Sequence, residues 1–214
     1  MTYLDNKKES GLPYLSFKSI GEAWLDLNRK LYSFGQEINN EILEIRHVNF
    51  EILNPSIDDA IIKKFGNETH IINMRKVFNT DEENIFGHSY KKLIKGPKGC
   101  NDFSDVTDML LKDVHTKKAA AVLISTEKKV PCIQSIHFLI RDGKLEVSYF
   151  SRAQDAYKKL YADIIVILEF AEKIAKALNT SVSSLHASII SLHIYNEDLN
   201  QIKDILEKSN QGIK

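Results

Sequence analysis

Apolar residues recur every three or four positions at Phe17, Ile20, Ala23, Trp24, Leu27, Leu31 and Phe34, a stripe that predicts a helix over residues 17–34 with Gly35 as its stop. Downstream the period shortens. Between Glu41 and Leu53 the β-branched and aromatic positions Ile42, Ile45, Val48, Phe50 and Ile52 alternate roughly with polar ones, and Asn54-Pro55 closes a predicted strand. Residues 55–103 carry little pattern beyond a short helix at Ser56–Phe65, and the lysine-rich stretch Gly87–Asp102 reads as a loop. Asp105–Val114 places Val106, Met109, Leu110 and Val114 on one helical face, and Ala119–Ser125 is an apolar run of strand length. Ser135–Ile140 and Lys144–Phe150 flank Asp142-Gly143, a strong hairpin signal. Ala156–Leu178 then predicts a long helix whose centre, Ile164-Ile165-Val166-Ile167-Leu168, is apolar nearly all round, as in a helix buried on every side. Asn179 ends it, His186–Tyr195 returns as a strand, and Asn196–Ser209 reads as a polar terminal helix. Helices mixed with antiparallel strands predict an α+β fold.

Composition narrows the class of function. The 214 residues suit one domain, 1–214, with a core large enough to need no disulfide or metal staple. Lysine and arginine balance aspartate and glutamate at 29 each, so no nucleic-acid or membrane surface is expected and any anion site must be local. The sequence lacks an apolar run long enough to span a bilayer, and its polar start lacks a signal-peptide core; cytoplasmic location is the expectation. In a reducing compartment Cys100 and Cys132 are each either a buried small hydrophobe or a reactive thiol, and two cysteines alone form no metal cluster.

Candidate chemistry concentrates late in the chain. Pro131 holds the backbone extended and removes one ladder donor, which puts Cys132 at a strand end, and a nearby guanidinium would stabilise its thiolate. Arg152 and Asp155 stand where the next strand hands over to the long helix; an arginine there suits bidentate phosphate binding, and Asp155 suits a helix cap. Asp155, Lys159 and Asp163 share a helical face, either solvated or turned into a pocket. In His193-Ile194-Tyr195 the two polar-tipped rings point the same way from a strand.

Together these residues resemble the thymidylate synthase superfamily, in which a Pro-Cys nucleophile is followed by Arg-Ser-x-Asp, an Asn eight residues beyond that Asp, and a His-x-Tyr. Cys132, Arg152, Asp155, Asp163 and His193-x-Tyr195 keep that order and spacing without a gap. The resemblance is best over residues 83–197, with residues 17–34 as the N-terminal helix and 198–214 as a terminal helix and tail. It implies a mixed or antiparallel sheet packed on a long buried helix. It also implies a homodimer in which Lys117 and Lys118, standing where the family carries paired arginines, reach the phosphate across the interface. Upstream, Ile85-Phe86-Gly87 with Tyr90 resembles the family's aromatic-Gly segment.

What the resemblance implies chemically is C5 one-carbon transfer on a pyrimidine nucleoside monophosphate. Cys132 would add to C6 of the base. Arg152, Lys117 and Lys118 would bind the phosphate, His193 and Tyr195 the sugar hydroxyl, and Asp155 would sit near the folate or order its water; 5,10-methylenetetrahydrofolate would be the donor. The family's base-reading Asn is Asp163 here. A protonated carboxyl can donate to N3 of cytosine and accept from its N4, and the cytidylate hydroxymethylases of the family use Asp there, so the favoured reading is a cytidylate (CMP or dCMP) 5-hydroxymethylase. The alternatives are a relative that binds a pyrimidine nucleotide without folate chemistry, an enzyme that exchanges the C5 proton without folate, and a thymidylate synthase acting on dUMP.

The departures fall mainly on the folate side. Ile133 replaces the usual His, Ala153 the Ser of the arginine motif, and Lys159 a Gly; the strand Ala119–Ser125 lacks the family's Trp-Asn pair. Glu82 or Glu83 stands nearest to the catalytic Glu's place, and with the chain ending soon after Tyr195 the tail that closes over folate is expected to be missing.

Overall fold

The computed structural model describes residues 14–83, 89–95, 102–123 and 130–211. Cys100, the Ile85-Phe86-Gly87 segment and the end of the expected Ala119–Ser125 strand lie outside the described residues. In chain order the elements are β1 (Leu15–Phe17), α1 (Ile20–Phe34), β2 (Gln36–Ile38), β3 (Ile42–Leu53), α2 (Ala60–Phe65), α3 (Glu68–Asn79), α4 (Tyr90–Lys95) and α5 (Phe103–Lys112). They continue with β4 (Ala120–Val122), β5 (Ile133–Arg141), β6 (Lys144–Asp155), α6 (Leu160–Ala177), β7 (Val182–Tyr195) and, after one 3-10 turn, α7 (Leu199–Gln211).

The strands form one mixed sheet in the order β1-β3-β7-β6-β5-β4, with β2 added on β3. Adjacent β5 and β6 pair antiparallel across Asp142 and Gly143, whose φ values of 49° and 73° are both left-handed, as a tight two-residue hairpin turn requires. Strands β6 and β7 are parallel, and α6 is the crossover between them. From Leu160 through Leu168 every residue of α6 is buried, and the helix also packs against α1, α3 and α5. Each buried Ile or Leu there contributes about 2 kcal/mol. Asn179, at φ 53°, takes the left-handed turn after the helix while Thr180 N–H bonds back to Ala175 O.

Sequence patterning misplaced several elements: β1 and β2 were not expected, and the helix expected over 17–34 starts at Ile20 because Phe17 belongs to β1 and Ser19 is the cap. Residues 68–79 form α3, capped by Asn67, but only Met74, Val77 and Phe78 are buried, so its apolar stripe is too narrow to stand out. Part of the expected Gly87–Asp102 loop is α4, which buries Tyr90 and Ile94 one turn apart and leaves Lys92 exposed. Helix α6 begins at Leu160 rather than Ala156, because β6 runs on to Asp155 and a turn intervenes. Among the described residues, no helix is long and apolar enough to cross a membrane.

Candidate functional site

At the end of β6 a cavity of about 560 Å³ opens, lined by Cys132, Arg152, Gln154, Asp155, Asp163, His193 and Tyr195 together with Tyr90, Ala153, Lys158, Lys159 and Glu197. Six of the eight residues expected at the site therefore meet in one place. Their convergence follows from the parallel register, which sets Asp155 beside His193, and from α6, which returns Asp163 over the same strand ends.

Cys132 sits just ahead of β5, where the ladder with β6 is irregular between Ile133 and Ser135. Its carbonyl accepts from Arg152 N–H at 2.9 Å and from Ser151 Oγ at 3.1 Å. The Arg152 guanidinium lies along the preceding turn: Nε donates to the carbonyls of Val130 (3.2 Å) and Pro131 (3.1 Å), and Nη2 to Val130 O (2.8 Å). Burial pushes the Cys132 thiol up; Arg152 and Lys159 pull it down but do not prevail. The expected stabilisation of the thiolate by a guanidinium thus has the right sign and is outweighed by desolvation, so the sulfur is held as a thiol.

Asp155 caps the turn between β6 and α6, its Oδ1 accepting from Tyr157 N–H (2.9 Å) and Lys158 N–H (3.0 Å), whereas α6 itself has no side-chain cap. Burial raises its carboxyl despite those bonds and despite His193. Burial lowers His193, and its Nδ1 is a buried atom with no hydrogen-bond partner among the described residues. Tyr195 stands more open and meets the His193 ring edge-on at 5.3 Å, so the two rings share a face as expected.

Asp163 is the most strongly shifted carboxyl group among the described residues. It is 3% exposed on α6, and burial raises it from 3.8 to about 7, with Lys159 and a bond from Gln154 pulling the other way. Its Oδ2 accepts from Gln154 Nε2 at 2.7 Å; Oδ1 has no partner among the described residues. Of the two sequence alternatives for the Asp155–Lys159–Asp163 face, the pocket is the one realised. An uncompensated buried carboxylate costs several kcal/mol, more than one aliphatic neighbour contributes, so retaining the proton is the cheaper solution.

Gln154, missed in the sequence, joins these groups: it is 2% exposed and receives a bond from Tyr149 Oη at 3.1 Å. No signal in the sequence marks it: the break in alternation, with the consecutive strand residues Gln154 and Asp155 both buried, exists only in the folded sheet. Lys117 and Lys118 are exposed, just ahead of β4, and do not line the cavity of their own chain. Glu82 and Glu83 line instead an adjoining hollow of about 350 Å³ with Asn73, Met74, Lys76 and Val77, and Lys159 borders both spaces.

Comparison with known proteins places this architecture. A "Putative thymidylate synthase" of Methanocaldococcus jannaschii is 26% identical over 204 residues, covering 86% of this chain and 92% of its own length. A protein of the same description from Methanothermobacter marburgensis is 23% identical over 223 residues, covering 90% and 97%. The solved thermostable thymidylate synthase A of Bacillus subtilis superposes with a TM-score of 0.67 at 12% identity, covering 87% of this chain and 84% of that one, which is a likeness of fold. The Thymidylate synthase family model matches residues 24–213, nearly the whole chain, and with the shared fold it shows that this protein belongs to the thymidylate synthase family of methyltransferase-type enzymes.

Proposed function

We propose that the protein transfers a one-carbon unit to C5 of a cytosine nucleoside 5′-monophosphate, as a 5-hydroxymethylase. The observation that supports it most is Asp163: a buried carboxyl raised to about 7, with one oxygen unpartnered, lining the same cavity as Cys132. In its protonated form it donates to cytosine N3 and accepts from N4–H, whereas uracil presents N3–H and O4 and asks for the reverse.

In this reading the Cys132 thiol gives its proton to solvent water at the cavity mouth as Sγ bonds to C6, and the C5–C6 π electrons move to C5, making that carbon the nucleophile. Asp163 holds the base in plane for the attack. Arg152, braced on Val130 and Pro131 through Nε and Nη2, offers Nη1, unpartnered among the described residues, to the phosphate, and the partner subunit's Lys117 and the partner subunit's Lys118 supply the remaining charge in a homodimer. His193 and Tyr195 bind the sugar hydroxyl, and Asp155 orders water at the cavity's edge. The adjoining hollow suits methylenetetrahydrofolate, with Met74 and Val77 as an apolar wall for a flat ring and Lys76 for an acidic tail. Bound there, that cofactor would supply the carbon at the oxidation level of formaldehyde.

The test is tritium release from C5-labelled cytidylate and uridylate, with and without methylenetetrahydrofolate. Folate-dependent release from cytidylate is expected. Preferred release from uridylate would overturn the base assignment, and no release from either would leave a nucleotide-binding relative. One observation favours a second reading, thiol addition with folate-free exchange of the C5 proton: Lys159, where the family has a Gly, stands between the two spaces. Release that ignores folate would support it.

A further inference from the structure

We propose that Gln154 is a positioning residue that fixes which oxygen of Asp163 presents a proton to the base, by holding Oδ2 as an acceptor and leaving Oδ1 as the donor. This rests on the reading of Asp163 as the group that meets the base. Tyr149 and Gln154 are each 2% exposed, so neither exchanges its partner for water. Tyr149 Oη donates to Gln154 Oε1 at 3.1 Å, which turns the amide nitrogen toward Asp163, and Nε2 donates to Oδ2 at 2.7 Å. A proton on Oδ2 would then face an N–H, so the acid's proton belongs on Oδ1, the oxygen with no partner among the described residues. The phenol, the amide and the acid form a one-way relay. It leaves one O–H donor at Oδ1 and one spare lone pair on Oδ2, the complement of cytosine N3 and N4–H, and it fixes which way round the base lies.

The charged and titratable groups around Asp163 come from β6, α4 and the residues just ahead of α6 and β5: Lys159, immediately before α6, favours the ionised form, Asp155 on β6 opposes it, and Tyr149 on β6, Cys132 ahead of β5 and Tyr90 on α4 also feel its charge. The Gln154 bond favours the ionised form, so removing it should make Asp163 hold its proton to higher pH.

The experiment follows the Asp163 side-chain carboxyl by carbon-13 NMR from pH 5 to 9 in the ligand-free wild type, Gln154→Met and Tyr149→Phe proteins. Binding of cytidine and uridine 5′-monophosphates is measured over the same range. Gln154→Met should move the Asp163 titration upward by about one pH unit and lower the preference for cytidylate about tenfold. Tyr149→Phe, which frees the amide to turn, should reduce the preference by a smaller factor and serves as the probe if Gln154→Met does not fold. An unmoved titration overturns the relay. A downward shift overturns it too, because it would place the acid's proton on Oδ2 with the amide reversed. Because the titration is read without ligand, an upward shift in a protein that prefers uridylate would sink the cytosine reading while leaving the relay standing.

Discussion

Two spaces share Lys159 and treat their carboxyl groups in opposite ways. In the cavity of Cys132 the two buried carboxyl groups, Asp155 and Asp163, are 6% and 3% exposed, and each is fixed by a hydrogen bond from a strand end or a turn, while Glu197 at the rim faces water. In the adjoining hollow Glu82 and Glu83 face water, and Glu83 is half exposed and 3.4 Å from Lys92. Burial makes a carboxyl a selective group because its protonation state and direction become fixed; a solvated carboxylate is neither. The chain has therefore kept a built pocket on one side of Lys159 and an open, adaptable one on the other.

The largest expected effect comes from removing the sulfur. Cys132→Ser should abolish C5 proton release, at least a thousandfold, while leaving nucleotide affinity within a few-fold in a binding titration. Retained release would remove Cys132 from the chemistry and reduce the first cavity to a binding site.

Asp163→Asn comes next, with two readouts. In competition binding, preference should swing from cytosine toward uracil by about a hundredfold, since unpaired buried polar groups discriminate strongly. Stability should move in a pH-dependent way. The folded protein holds the Asp163 proton up to about 7, against 3.8 for a free carboxyl, so the folded state binds the extra proton within that window. Stability from this group is accordingly full at low pH and is lost as pH rises through the window. Urea denaturation should find Asp163→Asn more stable than wild type at pH 8, by at most about 4 kcal/mol, with the gain vanishing toward pH 4. A constant difference across pH would mean that Asp163 ionises normally.

Replacing Lys117 and Lys118 together by Ala should weaken nucleoside monophosphate binding by about tenfold at low salt and leave the nucleoside unaffected. Equal losses for both ligands would detach the lysines from the phosphate. The smallest effect should be that of Glu83→Gln, which leaves nucleotide affinity within about twofold, as for a solvated ion pair. A large loss would mean that the two spaces act as one.

How legible all this was in the sequence varies along the chain. The hairpin, α6 and β7 were readable because each has a strong local cause: Asp142-Gly143, an unbroken apolar centre, and alternation on either side of a change of phase at Ile189-Ile190. Helix α3 was not, since its burial falls on only Met74, Val77 and Phe78. The order and spacing that resemble the thymidylate synthase family anticipated that Cys132, Arg152, Asp155, Asp163, His193 and Tyr195 would gather at one site, and all six line the cavity. The state of the thiol was not anticipated: a neighbouring arginine can be read from the chain, but the depth of burial that outweighs it is a property of the packed structure. Gln154 escaped for the same reason, as its partners Tyr149 and Asp163 are brought to it only by the sheet and the returning helix.

The register of β6 and β7 also bears on how the molecule comes into being. Apart from Tyr90 on α4, the residues that line the cavity lie in one span from Cys132 to Glu197, a tight hairpin followed by one crossover, and few long loops must close to bring them together. Strand β3 joins that unit only when Leu53 finds Ser184, far along the chain. Pulse-labelled amides should accordingly be protected first in β5, β6, α6 and β7 and later in β3, so the site would be assembled before the sheet that carries it is complete.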